Sequence, residues 1–510
     1  MQSPIEFSLC DLMSSLVTVP KGFLSAWKPA PLRSLCSLTG AIVLAVALTC
    51  SPNAAVSEPL VAPYTPDCES LAAHEIPEWF DGAKFGIMIH WGLFSVPGWA
   101  ETALDPSEWN SPGALIANSP EWYMRNPYAE WYANTIQIDG SEAQAYHRET
   151  YGSGFAYEEF RQAYWEPEAW AELFAKVGAR YVVLVTKHHD GYLLWPSDVA
   201  HPLRSSWSSS HDFVGELCAA VRKHDMRMGL YYSGGIDWTF EPRVITSLWD
   251  FIVAQPAQPE YAEYADAHWR ELIAKYRPAV LWNDIGYPEA AEPLELFAHY
   301  YNTVPDGVIN DRWSTLVPGA IHHDFVSEEY HSSSEISEQK FETIRGIGRS
   351  FGFNRNEDAS DYLSVEELIS EFVDVVSKNG NLVLNIGPRP DGTIPSEQIE
   401  RLEAFGRWLE ANGEAYFGSK PWTRAEGSTA GGNAVRFTFG ANGVLYATVL
   451  GAIKDGVVEI EDVSGNPTHI RLLGSEKALR WLIEGNVLQL VLPDDLPEQP
   501  AYAFAISGLD

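Results

Sequence analysis

Asp284 closes the apolar run Ala279–Gly286 (AVLWNDIG), and Trp282, two residues earlier, shares its side of an extended backbone. A carboxylate ending a buried strand beside an aromatic face suits attack on the anomeric carbon of a sugar. Taken alone, such an aspartate is more often a helix cap or a loop ion pair. Displacement through a covalent intermediate needs a second carboxyl group about 5–5.5 Å away, protonated at rest so that it can donate to the leaving oxygen. Candidates downstream are Glu328, Glu329, Glu335, Glu338 and Glu342, and residue order does not rank them. Arg312, in Asn310-Asp311-Arg312-Trp313, is available to pair with whichever is used. Partial burial and this arginine are expected to raise the pKa of the acid and lower that of the nucleophile.

Histidines form the second cluster. His188-His189-Asp190 ends Tyr181–Gly191 (YVVLVTKHHDG), and His90 ends Phe85–Gly92 (FGIMIHWG). Adjacent histidines on a strand point to opposite faces, so they share a metal only where the strand breaks. No HxH or HExxH spacing supports zinc. Hydrogen bonding to sugar hydroxyls explains them with fewer assumptions. No metal and no cofactor are expected.

These groups sit at the ends of strands that repeat one pattern. Phe85–Gly92, Tyr181–Gly191, Met228–Asp237, Ala279–Gly286 and Asn381–Gly387 are each apolar and then polar, and helical periodicity falls between them. Glu168–Val177, Phe213–Val221 after an Asp212 cap, Glu260–Tyr276, Ser364–Ser377 and Ser396–Ala411 supply the helices. Alternating strands and helices predict a parallel (β/α)-type barrel with its chemistry on one rim. Leu93–Pro167 reads as an aromatic loop insertion over that rim. From Val308 to Glu357 the rhythm loosens into short strands at Val308–Trp313, His323–Tyr330 and Ser350–Glu357, which predicts an irregular barrel. After Ser419 the helices stop, and strands joined by a hairpin at Asn442-Gly443 predict a β-sandwich of roughly ninety residues. The expected division is a leader over 1–55, an irregular (β/α)8-like catalytic domain over 56–418 and a C-terminal β-sandwich domain over 419–510. Nothing in the sandwich looks catalytic.

A chain of 510 residues with 46% hydrophobic residues can bury large cores, and a formal charge of −35 disfavours nucleic acid and anionic membranes as partners. The 19 Trp, 23 Tyr and 22 Phe lean towards sugar binding, whose C–H faces pack on aromatic rings. Leu35–Leu48, preceded by Lys21, Lys28 and Arg33, reads as a secretory signal too short to span a membrane. Export is therefore expected, to the periplasm or outside the cell. Cleavage is expected near Ala54-Ala55, or at Cys50 with lipid anchoring. Cys10, Cys36 and Cys50 fall in that leader, which leaves Cys68 and Cys218 and no disulfide framework.

The ordered set of motifs HWG (90–92), EWY (130–132), KHHDGY (187–192), YYSGGIDW (231–238), WNDIG (282–286), EYH (329–331) and RGIGRSFGFNRNE (345–357) resembles α-L-fucosidases of glycoside hydrolase family 29. The resemblance runs from about Glu75 to the C-terminus. It implies an exo-acting retaining enzyme acting on a fucosylated glycan, with Asp284 as nucleophile and Glu329 as acid/base. It also implies that His90, Glu130, Trp131, His188 and His189 bind fucose hydroxyls. Tyr231, Trp282 and Phe351 would surround the sugar and its methyl group, and Arg312 would pair with the acid/base. Glu328 is the nearest rival for Glu329, and a second EWY at Glu121–Tyr123 competes with the later copy. The alternatives are an exo-glycosidase for a fucose-like sugar such as α-L-galactose, and a non-catalytic fucose-binding protein.

Overall fold

Eight parallel strands carry the site. In the computed structural model these are β1 (Phe85–Ile89), β2 (Tyr181–Lys187), β3 (Arg227–Ser233), β4 (Val280–Asp284), β5 (Val308–Ile309), β6 (Val326–Glu329), β7 (Phe341–Gly346) and β8 (Gly380–Ile386). The structure describes residues 63–510 apart from 110–119, 155–159, 161, 289, 316, 332, 454–455, 495 and 510. The expected leader, with Cys50 and both cleavage positions, lies outside the described residues. Strand order is β5-β4-β3-β2-β1-β8-β7-β6, and a single parallel bridge between Asn310 and Phe325 joins the two ends. Across the seam the Asp324 amide donates to Ile309 O (2.8 Å) and its carboxylate accepts from Ile309 N (2.7 Å), while Ser327 N donates to Asp311 Oδ1 (3.0 Å). This is the irregular (β/α)8-like barrel expected, with the irregularity concentrated in the two-residue β5 and the four-residue β6.

Side-chain alternation divides the strands into two cores. Met88, Val183, Val280, Trp282, Ile344 and Val383 fill the barrel interior. Ile87, Val182, Leu281, Phe341 and Leu382 pack outward against helices such as Phe213–Lys223, Pro259–Tyr276 and Val365–Ser377. Those helices start where expected: Asp212 caps the first through Gly215 N (2.9 Å), and Ser364 with Glu367 forms a capping box on the third. Cys218 is buried on the inner face of its helix, and burial pushes its thiol up to about 12. The insertion over the rim is not all loop, since it contains the helices Tyr132–Thr135 and Glu142–Thr150.

One strand expectation is corrected. Ser350–Glu357 is a loop, and the strand lies earlier, at β7. Its amides are taken by side chains instead of a neighbouring strand: Ser350 N donates to Glu357 Oε1 (2.7 Å) and Gly352 N to Glu130 Oε2 (2.8 Å).

Beyond the barrel, β9 (Lys420–Ser428), β10 (Ala434–Phe439), β11 (Leu445–Leu450), β12 (Val457–Ile460), β13 (His469–Leu472), β14 (Arg480–Glu484), β15 (Val487–Val491) and β16 (Ala501–Ser507) form two antiparallel sheets, β13-β16-β11-β10-β9 and β12-β15-β14. Val435, Phe437, Leu445, Phe504 and Ile506 from one meet Val458, Ile460, Leu488 and Leu490 from the other, which makes a sandwich. In β16 the small residues Ala501, Ala503 and Ala505 alternate with Tyr502, Phe504 and Ile506. The alanine face joins the core shared with the barrel helices and the larger face fills the sandwich, so β16 is buried on both sides.

Candidate active site

Asp284, at the end of β4, has the interior parity of Val280 and Trp282. Its Oδ2 accepts from Tyr231 Oη (2.7 Å), and its Oδ1 accepts from Arg312 Nη1 (3.1 Å) and Ile285 N (3.0 Å). Burial pushes this carboxyl above its ordinary value; Arg312 and Tyr231 pull it down, while the nearby Glu329 charge adds to the rise. The expected lowered pKa is therefore not found, because desolvation of a buried carboxylate outweighs these donors.

Glu329 ends β6. Val326 packs outward on the helix-facing core, so Glu328 shares the outward side while Ser327 and Glu329 face in. Arg312 Nη1 also donates to Glu329 Oε1, so one guanidinium nitrogen bonds both carboxylates. Two hydrogen bonds end to end hold their nearest oxygens within about 6 Å. Cζ of Arg312 lies 4.9 Å from the Trp282 ring centroid, a cation–π support from below. Of the other carboxyl candidates, Glu335 and Glu338 are exposed, Glu328 turns away, and Glu342 is buried deeper in the barrel against Tyr181 and Trp282.

Both carboxylates are followed by a residue in the left-handed region, Ile285 (φ 60°) and Tyr330 (φ 57°). Such a conformation costs about 1–3 kcal/mol in a non-glycine residue and persists only where neighbours enforce it. Here Ile285 O accepts from Gln255 Nε2 (2.8 Å) and Thr315 Oγ1 (2.9 Å), while Tyr330 donates through its amide to Ile344 O (3.0 Å) and through Oη to Arg349 O (2.9 Å). The chain thus reverses sharply after each carboxylate and leaves it projecting at the rim.

The histidines do not alternate. The β2–β3 register slips between Val185 and Lys187, and Lys187 turns out over the Tyr232 ring to pair with buried Asp237 (3.0 Å). His188 and His189 follow that break, with ring centroids 4.0 Å apart. His188 lies 5.9 Å from Tyr231 and parallel to it, and 5.6 Å from His90. Asn385 Nδ2 donates to Phe351 O (2.6 Å), so its Oδ1 accepts from His90 Nδ1 (2.6 Å). Ser233 Oγ donates to Ile236 O and accepts from His189 Nδ1 (both 2.7 Å). Each partner fixes the proton on Nδ1 and leaves Nε2 as an acceptor for a ligand hydroxyl. Burial holds His90 at about 4 and puts His188 and His189 well below the ordinary value, so all three are neutral at neutral pH.

Phe351 stacks on His90 (5.1 Å), and Trp131 meets His189 edge-on (5.1 Å). Glu130 accepts from Gly352 N and Ser350 Oγ, and burial raises its carboxyl to about 7. The competing EWY is structural: Trp122 and Tyr123 are buried, and Glu121 is exposed in an ion pair with Arg125. Two side chains not singled out from the sequence join the site. Tyr128 packs on Phe351 (5.1 Å) and Trp238 sits beside His189 (5.5 Å), and the buried Oη of the first and Nε1 of the second have no hydrogen-bond partner among the described residues. Tyr128 lies two residues before the EWY motif at 130–132, and Trp238 ends YYSGGIDW. Among the described residues, no group of three or more His, Cys, Asp or Glu is placed to hold a metal ion, and no helix is long and apolar enough to cross a membrane.

Arg312 is the link most exposed to test. Arg312→Met leaves two half-buried carboxylates facing each other without the cation that bonds both, and breaking an ion set of this kind costs up to about 3–5 kcal/mol, the figure for a fully buried one. We expect kcat/KM to fall on the order of 10²–10³-fold. The acid limb of its pH profile should move upward, because Arg312 is what pulls Asp284 down. An unmoved limb would mean that Arg312 does not set the charge state of Asp284.

A family model described as Alpha-L-fucosidase matches residues 53–414. The chain is 34% identical to tissue alpha-L-fucosidase of Rattus norvegicus over 474 residues, covering 88% of this chain and 93% of the rat protein. Thermotoga maritima alpha-fucosidase in complex with a mechanism-based inhibitor superposes with a TM-score of 0.78 at 41% identity, over 87% of this chain and 100% of that one. The same Thermotoga enzyme in complex with fucose gives a TM-score of 0.77 with the same identity and coverage.

Proposed function

This chain belongs to the α-L-fucosidase family of glycoside hydrolases, and from that premise we propose that it releases terminal α-L-fucose from fucosylated glycans by a retaining double displacement. Asp284 attacks C1 of the fucoside as Glu329 protonates the departing oxygen, and water deprotonated by Glu329 then frees the sugar with its α configuration restored. The observation that carries this reading is the shared guanidinium nitrogen of Arg312. Nearest oxygens within about 6 Å of each other are compatible with the spacing of a retaining pair, which supports that reading.

Around that pair, Nε2 of His90 and of His189 accepts from sugar hydroxyls, Glu130 and Trp131 hold the same face, and Phe351 gives the C6 methyl an apolar wall. That wall favours a 6-deoxy sugar only modestly, as one methyl contact is worth about 1–3 kcal/mol. Supporting a covalent route, the Thermotoga relative is described in complex with a mechanism-based inhibitor. Export remains part of the proposal and rests on the Leu35–Leu48 signal pattern.

The test is ¹H NMR during hydrolysis of 4-nitrophenyl α-L-fucoside. The first fucose to appear should be the α anomer, with the β anomer growing in only by mutarotation. Initial release of β-fucose would mean a single inverting displacement.

A further inference from the structure

Glu342 is a carboxyl group inside the barrel that the reaction does not use. It lies on β7 with the inward parity of Ile344 and is fully buried. Barrel interiors are ordinarily filled by branched aliphatic side chains, and a buried carboxyl is costly unless every partner is satisfied. Here Oε1 accepts from Trp282 Nε1 (2.8 Å) and Oε2 from Tyr181 Oη (2.5 Å), and burial raises the group to about 7.

The tryptophan it holds is the platform for the catalytic donors. The Trp282 ring lies 5.3 Å from Tyr231 with 18° between planes, and Tyr231 Oη donates to Asp284. On the same ring rests Arg312, which bonds both carboxylates. A tilt of the indole therefore moves two of the three donors to Asp284 at once. The indole nitrogen is the one hydrogen-bond donor of that side chain, so its bond to Glu342 restrains the tilt directly.

We propose that Glu342 is a positioning residue for hydrolysis: it fixes the Trp282 indole and through it aims Tyr231 and Arg312 at Asp284. This rests on the reading of Asp284 and Glu329 given above. Glu342 touches neither substrate nor reacting atoms.

The test is a double-mutant cycle in kcat and KM on 4-nitrophenyl α-L-fucoside with Glu342→Met, Trp282→Phe and the pair. Phenylalanine keeps a ring at 282 but has no N–H for Glu342 to bind. We expect Glu342→Met to lower kcat by about tenfold or more with KM within about twofold, and that loss to shrink to within about twofold in the Trp282→Phe background. An equal loss in both backgrounds, or no loss in the wild-type background, overturns the proposal. Glu342→Gln, which offers the indole an acceptor oxygen, should keep kcat within about threefold and leave the acid limb of the pH profile in place. A tenfold fall in kcat for this near-isosteric variant, at unchanged melting temperature, also overturns it, and decides the matter if Glu342→Met does not fold. Inactivity of the wild type on this substrate would instead count against the fucosidase reading, so the two failures are distinguishable.

Discussion

Asp284→Ala should lower kcat on an aryl fucoside by at least about 10⁴-fold, or roughly 5.5 kcal/mol of transition-state stabilisation. Loss of the nucleophile removes the route through a covalent intermediate. Glu329 is the other carboxylate on Arg312, and on the proposed reading it is the acid and does not replace the nucleophile. The variant should fold. Arg312 keeps its bond to Glu329, and the chief loss is the acceptor for Tyr231 Oη, about 1–3 kcal/mol when a buried donor is left unsatisfied. Steady-state kinetics beside a thermal melt would separate the two effects. A loss of less than tenfold with the fold intact would place the nucleophile elsewhere.

Glu329→Ala comes second in size and differs in kind. Proton transfer to a leaving group is worth about 10²–10⁴-fold, and its value grows with the basicity of that group. We therefore expect a loss on the order of 10³-fold or more for a fucosyl disaccharide, whose leaving alkoxide needs the proton. The first step with a dinitrophenyl fucoside should be slowed by about tenfold or less, because that phenolate leaves unaided. A pre-steady-state burst of dinitrophenol should then appear, since the second step still lacks its base. Equal losses on both substrates, without a burst, would deny Glu329 the acid's role.

Much of this arrangement was legible in the residues, because strand alternation and position along a barrel strand are local properties. Trp282 and Asp284, two apart on β4, could be placed on one side of the sheet without coordinates, and the apolar-then-polar grammar of five segments indicated the rim. Glu329 and Glu328 could be told apart only once Val326 was seen to pack outward, since parity has no sign until one residue of the strand is fixed. The histidine pair shows the opposite failure. Alternation sent His188 and His189 to opposite faces, but buried Lys187 reaches outward to Asp237, 50 positions later in the chain, and breaks the strand before them. Ser350–Glu357 misled for a related reason: the carboxylates that take its amides include Glu130, more than two hundred positions away. The left-handed turns at Ile285 and Tyr330 have no sequence signal, since neither residue type favours that conformation. The raised pKa of Asp284 likewise depends on how completely the folded rim removes water, which charge counting along the chain does not measure.

The central claim is the division of labour between Asp284 and Glu329, and the stereochemistry of azide rescue tests it most directly. Azide needs no deprotonation, so it can replace the base-activated water in Glu329→Ala and attack the sugar held on Asp284. Two inversions then give α-L-fucosyl azide, with turnover restored. In Asp284→Ala, azide replaces the carboxylate itself, and its single inversion gives the β anomer. We predict α-fucosyl azide from the first variant and β-fucosyl azide from the second, identified by the anomeric proton coupling in ¹H NMR. The same anomer from both, or α-fucosyl azide from Asp284→Ala, would contradict the account.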